Sequence, residues 1–165
     1  MDETTLSALA AFPAVLEAHY ALIPEGFAGW APANWDGVPS EPFTALEQLC
    51  HLRDIEVDGY HTRLRRTLSE QQPVLASIDG IALARARAYA SADAAVVCGS
   101  FRAARAQTLQ LLAPLAAAQL RRTAIFAEHG TVTLRGLVHL LCSHDQQHLA
   151  GLQWLLGRLE SQRHD

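Results

Sequence analysis

Apolar residues recur every three or four positions along four stretches of the chain, which is the spacing of helices that bury one face. The stretches run from about Thr4 to Leu22, Ser40 to Leu68, Ala92 to Gln119 and Leu134 to Leu159. Leucine fills most of the repeating positions in the last stretch, which makes it the clearest of the four. The pattern therefore predicts four long helices.

One serine and two prolines affect the expected ends and straightness of these helices. Ser40 is a good N-cap for the second helix. Pro13 is expected either to kink the first helix or to lie in the first turn of a helix that begins near Phe12. Pro114 is expected to bend the last turns of the third helix.

The connections between the predicted helices differ in composition. The segment from Pro24 to Pro42 contains four prolines and three glycines and cannot be a continuous helix. Phe27, Trp30 and Trp35 could hold it against the helices, as a lid over a site or as a plain crossover. From Ser69 to Ala90 the chain carries no motif, and its run of alanine and arginine predicts a short helix.

Two histidines interrupt the leucine stripe of the last predicted helix. His144 and His148 follow Leu137 and Leu141 on the same face, one turn apart. Burying an imidazole without a partner costs on the order of a few kcal/mol, and a divalent ion could bind both rings at about 2.0–2.1 Å. Core histidines that hydrogen-bond to carbonyls or carboxylates explain the same pattern equally well. A third ligand would decide between the two interpretations.

Composition narrows the function classes. The chain has 165 residues, half of them hydrophobic, which is enough for one domain with its own core. The net charge of −4 is spread without a basic block, which argues against nucleic acid as a partner.

No apolar run reaches about 18 residues and the start lacks a signal peptide, so we expect a cytoplasmic protein without membrane contact. Cys50, Cys98 and Cys142 form no Cys-x-x-Cys motif and are expected to be reduced and buried.

Three segments carry a family resemblance. In chain order they are Trp35 with Ser40-Glu41 and Cys50-His51-Leu52-Arg53-Asp54-Ile55-Glu56, then Phe101 and Arg105 with Thr108-Leu109, then Gly130-Thr131-Val132-Thr133-Leu134 leading to His144-Asp145-Gln146-Gln147-His148-Leu149. They resemble the second, third and fourth helices of the DinB-like (DinB/YfiT) superfamily. The similarity spans Pro13 to Leu156.

The resemblance implies an all-α protein, a four-helix up-and-down bundle formed here by residues 1–165 as a single domain. Family members hold a metal ion with one histidine of the second helix and two of the fourth, which correspond to His51, His144 and His148. Periodicity alone places His51 at the rim of its helix's buried face, so the resemblance supplies this third ligand. We expect a mononuclear site at one end of the bundle, partly covered by the loop from Pro24 to Pro42.

The expected site leaves coordination positions free for water or substrate, because it has three protein ligands. Zinc or nickel is the expected divalent ion, and imidazole ligands are also compatible with iron or manganese. Glu47, Asp54 and Asp145 are candidates to orient the ligand histidines. Arg105 is a candidate cofactor-binding residue, with an anion-binding role toward the substrate and a structural salt bridge both open. Four further histidines fall off the metal face: His61, His129, His139 and His164.

The resemblance implies a metal-dependent enzyme similar to the family's thiol S-transferases, acting on a small molecule. A low-molecular-weight thiol is its expected nucleophile, because Cys50 and Cys142 point away from the metal face and no serine is expected beside a ligand. The alternatives are a metal-dependent hydrolase and a non-catalytic metal-binding or dimerising protein.

A homodimer is expected as well. Family members are often dimeric, and Leu52 and Ile55 extend the apolar character of the second helix beyond its inner stripe. Exposed apolar patches of this kind usually mark an interface.

Overall fold

The computed structural model describes residues 1–162 apart from the side chain of Glu128, so His164 lies outside the described residues. The helices are α1 (Glu3–Tyr20), α2 (Ala45–Asp54), α3 (His61–Ser69), α4 (Gly80–Ala86), α5 (Ala94–Leu112), α6 (Ala117–Leu120) and α7 (Leu134–Gln162). A π-helical turn, Ile55–Tyr60, joins α2 to α3. Together with α1, α5 and α7, this joined unit forms a four-helix bundle, and the predicted all-α class is confirmed.

The order of the helices around the bundle differs from their order in the chain. Helix α1 packs mainly against α5 and α7, and α2 packs mainly against the same two helices. Helices α1 and α2 therefore lie on one diagonal of the bundle, and α5 and α7 lie on the other. The long connections after α1 and after α5 are needed because each of them crosses the bundle.

Helix α1 is continuous from Glu3, so the alternative start near Phe12 is wrong. The Asp2 carboxylate accepts a hydrogen bond from the Thr5 backbone N–H at 2.8 Å and caps the helix. Pro13 lies inside the helix and is buried. A proline at this position forfeits one backbone hydrogen bond, and its ring instead contributes apolar contact in the interior.

Helix α2 begins later than predicted, because Thr44 and not Ser40 is its N-cap. The Thr44 hydroxyl accepts from the Glu47 N–H, and the Glu47 carboxylate accepts from the Thr44 N–H at 2.9 Å. This reciprocal capping box satisfies two backbone donors. Through the π-helical turn the helical rod continues to Ser69, close to the predicted end at Leu68.

Helix α5 ends at Leu112, so the predicted extension to Gln119 is wrong. Pro114 has no backbone N–H and cannot continue the ladder of helical hydrogen bonds, although Ala113 before it is still helical. The chain therefore leaves the helix instead of bending, and α6 forms separately.

A small sheet that the sequence analysis missed lies beside the bundle. Its strands are β1 (Val74–Leu75), β2 (Thr123–Phe126) and β3 (Gly130–Thr133). Strand β1 pairs with β2 in parallel, and β2 pairs with β3 antiparallel. The β-branched residues of β2 and β3 were the available signal. No helix within residues 1–162 is long and apolar enough to cross a membrane.

The loop before α2 is packed down by two of the three predicted aromatic residues. Trp35 stacks on Trp154 of α7 with ring centroids 5.9 Å apart, and Trp30 is half-buried against the core. Phe27 is 43% exposed and does not serve this role.

Leu52 and Ile55 are buried inside the bundle, at 2% and 5% exposure. They join the core and form no surface patch. The homodimer stays a prediction, but these two residues do not support it.

A buried polar layer divides the apolar core into two clusters. One cluster includes Phe12, Leu49, Phe101 and Leu152, and the other includes Leu9, Leu64, Leu112 and Leu137. The polar layer consists of Glu56, His61, Arg105, Thr108 and Asp145, all at 4% exposure or less. It lies near the middle of each long helix.

Arg105 is the centre of the polar layer. Its guanidinium donates two hydrogen bonds to Glu56, at 3.0 Å each, and two to Asp145, at 2.8 and 2.9 Å. A further bond reaches the Leu9 carbonyl at 3.1 Å. Burial lowers the pKa of Arg105, but the two carboxylates more than offset this effect and raise it. The arginine is therefore held as a cation between two acidic side chains.

Replacing Arg105 should destabilise the protein strongly. Arg105→Met leaves two buried carboxylates without their cation, which costs about 3–5 kcal/mol of unfolding free energy. Urea denaturation followed by circular dichroism measures the change. Arg102→Met on the same helix is the matched control, because Arg102 forms only an exposed pair with Glu17, worth about 0–1 kcal/mol. Equal losses in the two variants would contradict the central role of Arg105.

Candidate metal centre

Three histidines from two helices meet inside the bundle. His51 comes from α2, and His144 and His148 come from successive turns of α7. One ring nitrogen from each lies within 4.8 Å of the other two. His51 and His148 are buried, and His144 is half-buried. The three residues expected from the resemblance are thus brought together.

The site lies near the middle of the bundle, whereas we had expected it at one end. On α7 the two histidines fall between Leu141 of one apolar cluster and Leu152 of the other. His51 becomes buried because Phe43 of the loop before α2, with its ring centroid 5.0 Å from that of His51, and Gly80 of α4 cover this side of the helix.

The geometry of the cluster suits a divalent ion. Two nitrogens bound at about 2.0–2.1 Å to one tetrahedral ion lie about 3.3 Å apart, and the Nε2 atoms of His51 and His144 are 3.2 Å apart. His148 Nε2 is buried and has no hydrogen-bond partner among the described residues. An orphaned lone pair of this kind costs free energy unless a cation accepts it.

Gln48 fixes the orientation of His148, and the sequence analysis missed it. The Gln48 Oε1 lies 2.6 Å from His148 Nδ1 and accepts its N–H, which leaves the Nε2 lone pair free. The Gln48 amide in turn donates to Ser40 Oγ at 2.8 Å. Gln48 lies one turn before His51, so its helical position was the signal that could have found it.

Two glycines permit the close packing around these side chains. A Cβ atom at Gly80 would lie 2.6 Å from His51 Cε1. A Cβ atom at Gly151 would lie 2.7 Å from Gln48 Nε2 and would also clash with Ser40. Only glycine lets α4 and the Ser40 loop approach so closely.

The histidines are held neutral. Burial lowers the pKa of His51 to about 4 and, with the neighbouring His51 as a smaller cause, that of His144 to about 3. Burial also lowers the pKa of His148, and the other two histidines add to this effect. Metal binding requires the neutral imidazole, so the cluster is in its ligating form at neutral pH.

A carboxylate stands beside the cluster. Glu41 Oε2 lies 3.4 Å from His148 Nε2. This oxygen is buried without a hydrogen-bond partner among the described residues, although the side chain as a whole is 37% exposed. Glu41 lies in the loop before α2, and in the sequence it stood out only as part of the Ser40-Glu41 pair of the family resemblance.

An open cavity of about 270 Å³ leads from the surface to the cluster. Its lining includes His51, His144, Glu41, Tyr60, Arg63 and Phe126. Ser77 and Ser143 line it as well, so the expectation that no serine lies beside a ligand is wrong. The cavity provides room for a small molecule next to the histidines.

The three carboxylates expected to orient the histidines have other partners. Glu47 is used in the α2 capping box. Asp54 accepts hydrogen bonds from Arg53 at 2.6 Å and from the Tyr89 hydroxyl at 2.7 Å. Asp145 accepts hydrogen bonds from Arg105. All five N–H groups of Arg105 donate to acceptors within the protein. Of its two open roles, Arg105 therefore takes the structural one, and no donor remains for a substrate anion.

The other histidines and the cysteines lie away from the cluster. His61 bonds to Thr108 and the Ala104 carbonyl, and His139 is exposed on α7. His129 lines the outer cavity but is not in the ligand group. Burial raises the pKa of both Cys50 and Cys142 to about 11. Neither cysteine lines the cavity, as predicted.

Comparison with known proteins agrees with this architecture. The sequence model of the DinB superfamily matches residues 8–152. The structure of YfiT from Bacillus subtilis, described as a probable metal-dependent hydrolase with an unusual four-helix bundle topology, matches with a TM-score of 0.83 and 19% identity over 97% of this chain and 90% of that chain. No curated protein matches the sequence. The family and the histidine cluster together support a metal-dependent function.

The cluster should bind about one zinc ion per chain. Wild-type protein, stripped with a chelator and reloaded, is compared with the His144→Ala, His148→Ala double variant by elemental analysis. The double variant should lose the ion because one ligand remains. His139→Ala, an exposed histidine on the same helix, is the control and should bind normally. Full metal content in the double variant would refute the assignment.

Gln48→Leu should weaken zinc binding by about 10–100-fold without removing a ligand. The substitution leaves His148 Nδ1 without its acceptor, so the ring loses its fixed tautomer and orientation. Competition with a fluorescent chelator measures the affinity. Gln107→Leu, at an exposed position on α5, is the control. If both variants bind zinc as tightly as wild type, Gln48 has no orienting role.

Proposed function

The chain belongs to the DinB superfamily, and from the geometry of its histidine cluster we propose that it is a metal-dependent hydrolase acting on a small molecule. His51, His144 and His148 hold the divalent ion, with zinc or nickel as the first choices. The open cavity beside them favours an enzyme over a closed, purely structural metal site. The likeness to a probable metal-dependent hydrolase supports the same reaction class.

Glu41 is the observation that carries this proposal. A general base needs a free oxygen within reach of the reacting water. Glu41 Oε2 is buried, has no hydrogen-bond partner among the described residues and lies 3.4 Å from a ligand nitrogen. Its partly exposed side chain borders the cavity, so it can take a proton at the cluster and release it toward solvent.

The bound ion would supply Lewis acidity and lower the pKa of a water molecule to about 7. The chain's own residues do the rest. Glu41 accepts the proton, Gln48 keeps His148 in its ligating tautomer, and the aromatic ring of Tyr60 limits the cavity 6.3 Å from the His144 ring.

Thiol transfer is the second candidate function. The cavity contains no cysteine, so a transferase built on this site would need a thiol from solution, such as glutathione, cysteine or a bacterial low-molecular-weight thiol. The metal would hold that thiol as thiolate at neutral pH. A thiolate bound in this way needs no general base, and for this reason the free oxygen of Glu41 favours hydrolysis.

Zinc-loaded protein should hydrolyse nitrophenyl acetate without any thiol. Glu41→Gln should lower kcat by about 10²-fold or more while zinc content stays unchanged. Release of nitrophenolate, followed by absorbance, measures the rate. Glu25→Gln is the control, because Glu25 is exposed in the same loop.

A parallel assay uses chlorodinitrobenzene with and without glutathione or cysteine. Turnover that requires both zinc and a thiol would replace the hydrolase with the transferase. If ester hydrolysis is the same with and without zinc, the proposed function is wrong.

A further inference from the structure

Arg63 of α3 is a buried arginine in the wall of the cavity. It is 6% exposed, and its guanidinium carbon lies 4.5 Å from the ring centre of Phe126 and 5.1 Å from that of Tyr60. Its Nε and one Nη2 hydrogen donate to the Ala76 carbonyl at 3.3 and 3.1 Å. The two aromatic rings and the carbonyl hold the guanidinium in one place.

Arg63 has no carboxylate partner among the side chains that the structure describes. Arg66 and Arg87 pair with acidic side chains, which raise their pKa values. Burial instead lowers the pKa of Arg63. Three of its five N–H groups make no hydrogen bond within the described structure, including both on Nη1. Burying a guanidinium without an anion is costly, so the arrangement calls for an anion from outside.

The cavity is arranged to orient such an anion. Among the described residues that line it, Arg63 is the one with a permanent positive charge, whereas His51, His144 and Glu41 border the same cavity. The Tyr60 ring connects the two regions, since it lies 5.1 Å from the Arg63 guanidinium carbon and 6.3 Å from the His144 ring. A small molecule bound against Tyr60 could therefore contact both.

We propose that Arg63 binds an oxyanion of the substrate, a carboxylate or a phosphate, and so directs the substrate's reactive end toward the histidine cluster. Nη1 and Nη2 present parallel N–H groups that match two oxygens of such a group. Phe126 and Tyr60 favour an adjoining flat or apolar part of the molecule. The substrate class is thus a small organic acid or phosphate ester, and this inference deepens the proposed function.

Binding of benzoate, phenyl phosphate and neutral benzamide tests the inference. Calorimetric titrations compare wild type with the variants Arg63→Met and Arg63→Gln, each in zinc-loaded and zinc-stripped form. Arg65→Met is the control in both forms, because Arg65 is exposed on the same helix. Wild type and the control should bind an anion more tightly than benzamide in both metal states. Both Arg63 variants should bind it about tenfold more weakly or worse. The tighter of the two anions identifies the preferred group.

The zinc-stripped arm separates this inference from the proposed function, because binding at Arg63 needs neither metal nor turnover. Binding of benzoate only when zinc is present would mean that the metal recognises it, and would overturn the inference. Equal binding by the Arg63 variants, equal binding of benzamide, or no binding of either anion by wild type would overturn it too.

Circular dichroism shows whether each variant is folded. If Arg63→Met does not fold, Arg63→Gln decides, and if neither folds, the preference of zinc-stripped wild type for the anion over benzamide decides.

Discussion

Burial of charge in the middle of an apolar bundle is the constraint on which this structure depends. Arg105 is 1% exposed, and a cation so far from water requires anions close by. Glu56 and Asp145 meet this need from two different helices. Thr108 also donates to Glu56, and His61 bonds to the Thr108 hydroxyl. The layer links the α2–α3 unit, α5 and α7 at one level, and its many partners define how these helices align.

The same level of the bundle holds the histidine cluster, and α7 serves both. Successive residues of a helix point about 100° apart, so His144 faces the cavity while Asp145 faces Arg105. The two groups satisfy their polar atoms in different ways. The ion-pair network is complete within the protein, whereas the cluster leaves nitrogens of His51 and His148 and an oxygen of Glu41 without partners. Incomplete satisfaction at a rigid, buried place is typical of a site that binds something.

The π-helical turn and the connections between the long helices complete the cavity that α2, α3 and α7 also line. The π-helical turn carries Tyr60, β2 carries Phe126, and the loop before α2 carries Glu41. Single turns of π-helix are frequent at functional sites because they displace side chains from the regular helical stripe. The crossing connections of the bundle therefore have two results: they join helices on opposite corners, and they bring side chains to the cluster that no single helix could present.

The sequence by itself determined the four long helices, the start of α7 at Leu134 and the pairing of His144 with His148, because amphipathic periodicity and i,i+4 spacing are local properties. His51 needed a family resemblance, since its burial comes from α4 and from the loop before α2 and not from the periodicity of its own helix. Short strands of two to four residues offer too few positions for a periodic signal. Only the tertiary structure placed Glu41, Gln48 and Arg63 around the site and gave Arg105 its structural partners. Which polar side chains meet depends on how helices cross and on where the connections close over them, and a pattern along one helix does not contain that information.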